Sequence, residues 1–152
     1  VDPRRIEIEV TETALMIDFE AAQRSLVMLR KLGVRIALDD FGTGYSSLSH
    51  VHELALDKIK IDRKFVGDMS NSGKAASVVR TVIDLCGNLG LVCVAEGVET
   101  KEQALNLGRQ GCHLVQGFLY GKAVPARDVA ALYEARRREK PKGTRKPRPA
   151  SA

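Results

Sequence analysis

Apolar and polar positions along this chain follow two periods, close to 2 and close to 3.6 residues, that take turns. Ile6-Glu7-Ile8-Glu9-Val10 alternates strictly and predicts a strand. Asp18 is placed to cap a helix over 19–32, whose stripe is Leu26, Leu29 and Leu32 and whose stop is Gly33. Val34-Arg35-Ile36-Ala37-Leu38 is the second strand, followed by a short helix near 45–54. Leu56 to Ile61 is the third strand. An amphipathic helix spans 74–89, with Val78, Val79, Val82, Ile83 and Cys86 on one side. Leu91-Val92-Cys93-Val94-Ala95 is unbroken apolar sequence, which predicts a strand buried on both faces. A helix over 101–109, a strand over 112–115 and a helix over 126–138 opened by Pro125 complete the series.

Five strand–helix units in strict alternation require parallel strands with helical crossovers, an α/β fold. Two architectures satisfy this pattern: an open doubly wound sheet, and part of an eight-stranded barrel, which as a whole takes about 250 residues. The periodicity leaves both open.

Charge changes the picture only when it is divided along the chain. The formal net charge is +5. Residues 136–152 carry +7 of it, in Arg136, Arg137, Arg138, Lys140, Lys142, Arg145, Lys146 and Arg148 against Glu139, so residues 1–135 carry −2. A mildly acidic body argues against a nucleic-acid surface, and no nucleic-acid partner is expected. Residues 139–152, all Lys, Arg, Pro and small or polar residues, are expected to be a disordered tail after a folded region over 1–138. No apolar run approaches the roughly 20 residues that span a bilayer, and the start is polar, so a cytoplasmic location is expected for this stretch, with a membrane anchor upstream left open. Cys86, Cys93 and Cys112 have no metal-ligand spacing and read as reduced, buried thiols.

The candidate chemistry lies where the predicted strands end. Glu9 and Glu12 close the first, Asp39-Asp40 the second, Lys60 and Asp62 the third, Glu96 and Glu99 the fourth, Gln116 the fifth. In a parallel sheet these ends share one face, the face that carries active sites in such folds. Taken singly, each acid has an ordinary reading as a cap or turn residue. Together they crowd negative charge beyond what one lysine offsets, and hard divalent cations such as Mg²⁺ or Mn²⁺ are the natural compensation for oxygen ligands. Two such ions side by side are a recurring device for phosphodiester hydrolysis. In this reading Lys60 holds water or neutralises phosphate, and Glu96 takes a proton. Asn71-Ser72-Gly73-Lys74 is not a phosphate-binding loop, because Gly67 is one residue too far upstream and Ala75 replaces the required Ser or Thr. His50 and His52 read as surface groups.

Five motifs, in order over residues 6–125, make the pattern specific. Glu9-Val10-Thr11-Glu12-Thr13 resembles the E-L-T-E-S motif of EAL domains, and Asp39 through Leu48 matches their D-D-F-G-T-G-Y-S-S-L signature in full. Lys60-Ile61-Asp62-Arg63 with Phe65-Val66, Glu96-Gly97-Val98-Glu99-Thr100, and Gln116-Gly117-Phe118-Leu119 resemble three further segments of that family. The resemblance implies a modified (β/α)₈ barrel, present here as five of its units, that hydrolyses cyclic di-GMP to the linear dinucleotide with two Mg²⁺ or Mn²⁺ ions. It also implies roles. Glu9, Asp39 and Asp40 are similar to metal ligands. Lys60 resembles the lysine that holds the attacking water, and Glu96 the base that orients it. Glu99 and Gln116 resemble supporting active-site residues. Glu12 resembles the anchor of a flexible loop over about 41–48, including Phe41, Gly42, Thr43 and Gly44, which in the family couples metal binding to contact between paired EAL domains. A sensor or cyclase domain upstream is expected on the same ground. The family's Glu-Ala-Leu motif, the arginine after it and an asparagine ligand have no counterpart in these 152 residues. The chain alone is therefore expected to be poorly soluble and inactive. The alternative function is a non-catalytic module that binds the dinucleotide or a protein.

Overall fold

A computed structural model describes residues 1–42 and 51–139, with only the backbone of 136–139. The chain divides into two compact units, the first Val1–Gly121, the second beginning at Lys122. In the first unit a 3₁₀ turn, Pro3–Arg5, leads into strand β1, Glu7–Thr11, and helices α1, Glu12–Ile17, and α2, Phe19–Lys31. Strand β2, Arg35–Phe41, and strand β3, Lys58–Ile61, follow, then α3, Arg63–Asp68, and α4, Gly73–Leu89. Strand β4, Val92–Ala95, helix α5, Lys101–Arg109, and a two-residue β5, Leu114–Val115, complete it. The second unit contains one described helix, α6, Ala126–Glu139.

All neighbouring strands are parallel, and their spatial order is β1-β2-β3-β4-β5. Doubly wound sheets reverse order at a switch point; a sheet that adds each strand beside the last is wound as barrels are wound. The order thus decides between the two architectures that periodicity leaves open.

Local chemistry sets the element ends. Asp18 Oδ1 accepts the Ala21 N–H at 2.9 Å, as its place before the 19–32 pattern predicts, and Gly33 stops the helix with φ +92°. Thr100 and Gln103 form a reciprocal capping box at the start of α5. Two short helices go beyond the sequence expectations. Thr11 Oγ1 caps α1, and Asp62 Oδ1 accepts the Lys64 N–H at 2.9 Å to start α3. Both are too short to present a helical period, so their caps are their only sequence signal. The helix expected over 45–54 and the tail expected over 139–152 fall largely outside the described residues.

One face of the sheet carries the core. Ile36, Leu38, Ile59 and Ile61 pack against Leu26, Val66, Val79, Val82 and Leu107 of the helices. The opposite, inner face presents Glu7, Glu9, Arg35, Ala37, Asp39, Lys58, Lys60, Val92, Val94 and Leu114, by the register of the pairs. Strand β4 departs here from burial on both faces. Val92 is 43% and Leu114 52% exposed, since they point to the face opposite the helical core. Among the described residues no helix is long and apolar enough to cross a membrane. Cys86 and Cys112 are buried and Cys93 half-buried, all three as free thiols.

Gly117 sits where a Cβ would collide with the backbone N and O of Val98. Gly87, inside α4, has open space around it. Gly117→Ala is expected to cost about 1–3 kcal/mol through overpacking, whereas Gly87→Ala gains up to about 1 kcal/mol of helix propensity. Urea unfolding of the two variants beside the parent measures both signs.

Candidate active site

Lys60 is the centre of the strand-end cluster. Its side chain rises from β3 on the inner face, and the residue is 6% exposed. Its Nζ donates to Glu96 Oε1 at 2.8 Å, Glu9 Oε2 at 2.9 Å and Asp39 Oδ1 at 3.0 Å. Burial pushes the amine's pKa down, but the hydrogen bonds to Glu96, Glu9 and Asp39 outweigh it and hold the pKa above the ordinary lysine value. The group is an ammonium ion throughout the neutral range.

A backbone irregularity brings the Asp pair together. Leu38 pairs with Ile59 and Phe41 with Ile61, so Asp39 and Asp40 on β2 oppose the single residue Lys60 on β3. This is a bulge, rare between parallel strands. Regular pleating would send adjacent side chains to opposite faces. Here Asp40 adopts φ +53°, the only positive φ at a non-glycine residue among those described, and Asp39 Oδ1 accepts its N–H at 3.0 Å. The left-handed backbone costs about 1–3 kcal/mol. In exchange, carboxylate oxygens of Asp39, Asp40 and Glu96 all lie within 4.8 Å of one another.

The flanking loops are tied down. Glu12, 2% exposed at the first position of α1, accepts the Gly42 N–H at 3.2 Å through Oε2 and so fixes the chain just after the bulge. Phe41 is buried beside it. Gly42 has φ +97°, and a Cβ there would stand 3.0 Å from the Phe65 ring. Beyond β4, Gly97 turns with φ +66° against Arg63. Val98 then donates to the Gln116 carbonyl at 3.0 Å and accepts from Leu119 N–H at 3.0 Å. The Glu96 segment is thereby stitched to the end of β5.

The structure thus joins Glu9, Asp39, Asp40, Lys60 and Glu96 in one cluster, with Glu12 behind it. Glu99 and Gln116 stand on the same rim with exposed side chains, and neither side chain bonds to the cluster. Thr43 and Gly44 lie outside the described residues. Asp62 belongs nearer the cluster than its capping role suggests, because its carboxylate acts on Asp40. Burial first, then the charges of Asp39 and Asp62, raise the Asp40 carboxyl above the usual aspartate value. That contact follows from the bulge, which no spacing in the sequence announces.

The donor set fits divalent cations. Five carboxylates (Glu9, Asp39, Asp40, Asp62, Glu96) around one ammonium leave a formal charge of −4. Burial is the main cause of the raised Asp40 pKa, and repulsion from Asp39 and Asp62 adds to it. Oxygen-only donors without cysteine or histidine select hard ions.

Comparison with known proteins agrees. Residues 1–123 match the EAL domain family. Over 129 residues the chain is 43% identical to the cyclic di-GMP phosphodiesterase NbdA of Pseudomonas aeruginosa, covering 85% of this chain and 16% of that protein. It is 41% identical to MucR of the same organism, named a bifunctional diguanylate cyclase and cyclic di-GMP phosphodiesterase, over 86% of this chain and 19% of that one. The solved MucR phosphodiesterase in complex with cyclic di-GMP superposes with a TM-score of 0.82 over 85% of this chain and 52% of its own. BlrP1 of Klebsiella pneumoniae, solved with manganese and cyclic di-GMP, gives 0.75 at 42% identity over 80% of this chain and 31% of its own. The chain thus spans less than a fifth of those curated relatives and about half of the MucR structure.

Because the folded state raises the Asp40 pKa, its charge opposes folding once the pH passes the unfolded value near 4. In protein stripped of metal by a chelator, Asp40→Asn is expected to raise the urea midpoint at pH 7 and to lose that advantage as the pH falls to about 3. Asparagine tolerates the left-handed backbone as well as aspartate does. An unchanged or lower midpoint at pH 7 contradicts the assignment.

Proposed function

The chain belongs to the EAL domain family, and from that membership we propose that the protein carrying it is a metal-dependent phosphodiesterase that hydrolyses cyclic di-GMP to the linear dinucleotide. The observation that supports the reading best is the Lys60 ammonium held between Glu9, Asp39 and Glu96 beside the bulged Asp pair. The amine stands among groups able to accept a proton, an arrangement suited to activating water at a phosphodiester.

Glu9, Asp39 and Asp40 are the residues that would hold the cations, Mg²⁺ or Mn²⁺. Such ions, when bound, supply charge stabilisation at the phosphodiester and lower the pKa of water. The remaining chemistry belongs to the chain. An ammonium has three N–H donors, and here each faces a carboxylate. Lys60 holds a water when one of those carboxylates turns to another positive charge. Lys60 donates to Glu96 Oε1, which leaves Oε2 of the same carboxylate free to take the water's proton as its oxygen attacks phosphorus. The bond from phosphorus to the leaving ribose oxygen breaks, and that oxygen takes up a proton. Glu12, through Gly42, keeps the bulge and its loop in place. Glu99 and Gln116 serve at the rim, where a substrate bridging the strand ends would meet them. The large remainder of the relatives' length supports a multidomain signalling protein around this segment.

In the full-length protein, turnover of cyclic di-GMP is expected with Mg²⁺ or Mn²⁺ and is lost on chelation. Glu96→Gln and Lys60→Met are each expected to lower kcat by about 10²–10⁴-fold. Chromatographic assay of the linear product checks this, and a Glu96→Gln protein with unreduced kcat sinks the assignment. Residues 1–152 alone are expected to give no product, since this stretch holds only part of the family's ligand set.

A further inference from the structure

Ala37 is 0% exposed, yet it lies on the inner face, outside the core cluster that packs under the helices. Among the described residues of the first unit the helical core packs on the other face, so the cover of Ala37 is sought in the inner-face side chains around it. Ala37 pairs in register with Glu9 on β1 and with Lys58 on β3. Lys58 Nζ bonds Glu7 Oε1 at 2.6 Å, and Lys60 Nζ bonds Glu9 Oε2 at 2.9 Å. Strand β2 stands between β1 and β3, so each lysine spans two strand spacings, about 9–10 Å, to reach its glutamate. Each also leans back, to the glutamate two residues before its own row. One bridge passes between Arg35 and Ala37, the other between Ala37 and Asp39. The methyl of Ala37 is enclosed by the two bridges, which accounts for its burial. Arg35 Nε lies 4.0 Å from Glu7 Oε2 and steadies the lower bridge from its open side.

We infer that Ala37 and the Glu7–Lys58 ion pair are positioning residues, a floor of fixed height that sets where the Lys60 ammonium stands among the acids. The inference rests on the phosphodiesterase reading for its catalytic consequence, and on geometry alone for its structural one. A larger side chain at 37 fills the passage that Lys60 uses to reach Glu9. Loss of the lower bridge frees Glu7 to compete for Lys60, one strand pleat below its proper place. Neither residue touches the reacting atoms, so the expected signature is in kcat and not in KM.

The test uses the full-length protein with Mn²⁺ and cyclic di-GMP. Ala37→Val and Lys58→Met are expected to lower kcat by about 10–100-fold, the usual loss when a supporting partner goes, with KM within about threefold. Ala37→Gly, which leaves the passage open, and Lys58→Arg, which restores the cation, are expected to stay within about threefold of the parent in kcat. A crystal structure of Lys58→Met is expected to show Lys60 Nζ drawn away from Glu9. The inference is overturned by full kcat in Ala37→Val, by Lys58→Arg as slow as Lys58→Met, or by an unmoved Lys60–Glu9 contact in the Lys58→Met crystals. A parent protein without turnover overturns the phosphodiesterase reading instead, and the crystal comparison still decides the inference.

Discussion

A single buried ammonium lets five carboxylates crowd the strand ends of one sheet. Removing charges from water is costly, and a cluster of acids at one sheet end would drive its own strands apart. Lys60 prevents this for Glu9, Asp39 and Glu96 by direct contact. Its charge also lowers the Asp40 pKa, but burial and the charges of Asp39 and Asp62 outweigh it and leave that pKa raised. The site is thus held together at a level of charge that still favours further cations. A fully neutral cluster would bind metal weakly, and one without the lysine would not assemble.

The geometry of that balance depends on two departures from regular structure. The bulge in β2 turns Asp40 to the same side as Asp39, and the small side chain of Ala37 leaves room for a lysine to pass over a strand. The first places negative charge where pleating forbids it; the second lets positive charge reach across. Gly97 and Gly117 perform the same kind of service for Glu96, since each lies where a Cβ would strike a neighbouring segment. The chemistry is carried by long polar side chains, but small residues decide where those side chains can be.

Much of this was legible in the amino acids. Alternation at Ile6–Val10 and the stripe over 74–89 place the strands and helices that are seen. The acids at successive strand ends locate the site before any coordinates. Sheet order was not legible, because periodicity describes one element at a time and order is a relation among them. Helices α1 and α3 were hidden because six residues are too few to display a period. The meeting of Asp39 with Asp40 was hidden for a deeper reason. It depends on one extra residue in a strand pairing, and a motif read as consecutive letters carries no register. The exposure of Val92 ran against its apolar surroundings because burial on the second face needs a partner layer, and a run of apolar letters cannot supply one.

The strictly consecutive strand order also bears on synthesis. The nascent chain emerges from its N-terminus, and each β/α unit can dock on the one before it. Glu9 and Asp39 leave the ribosome before Lys60. Lys60 comes next and joins them, and Glu96 appears 36 residues later to find a positive charge already waiting. The order of the letters therefore doubles as an assembly schedule in which the cation precedes the last acid.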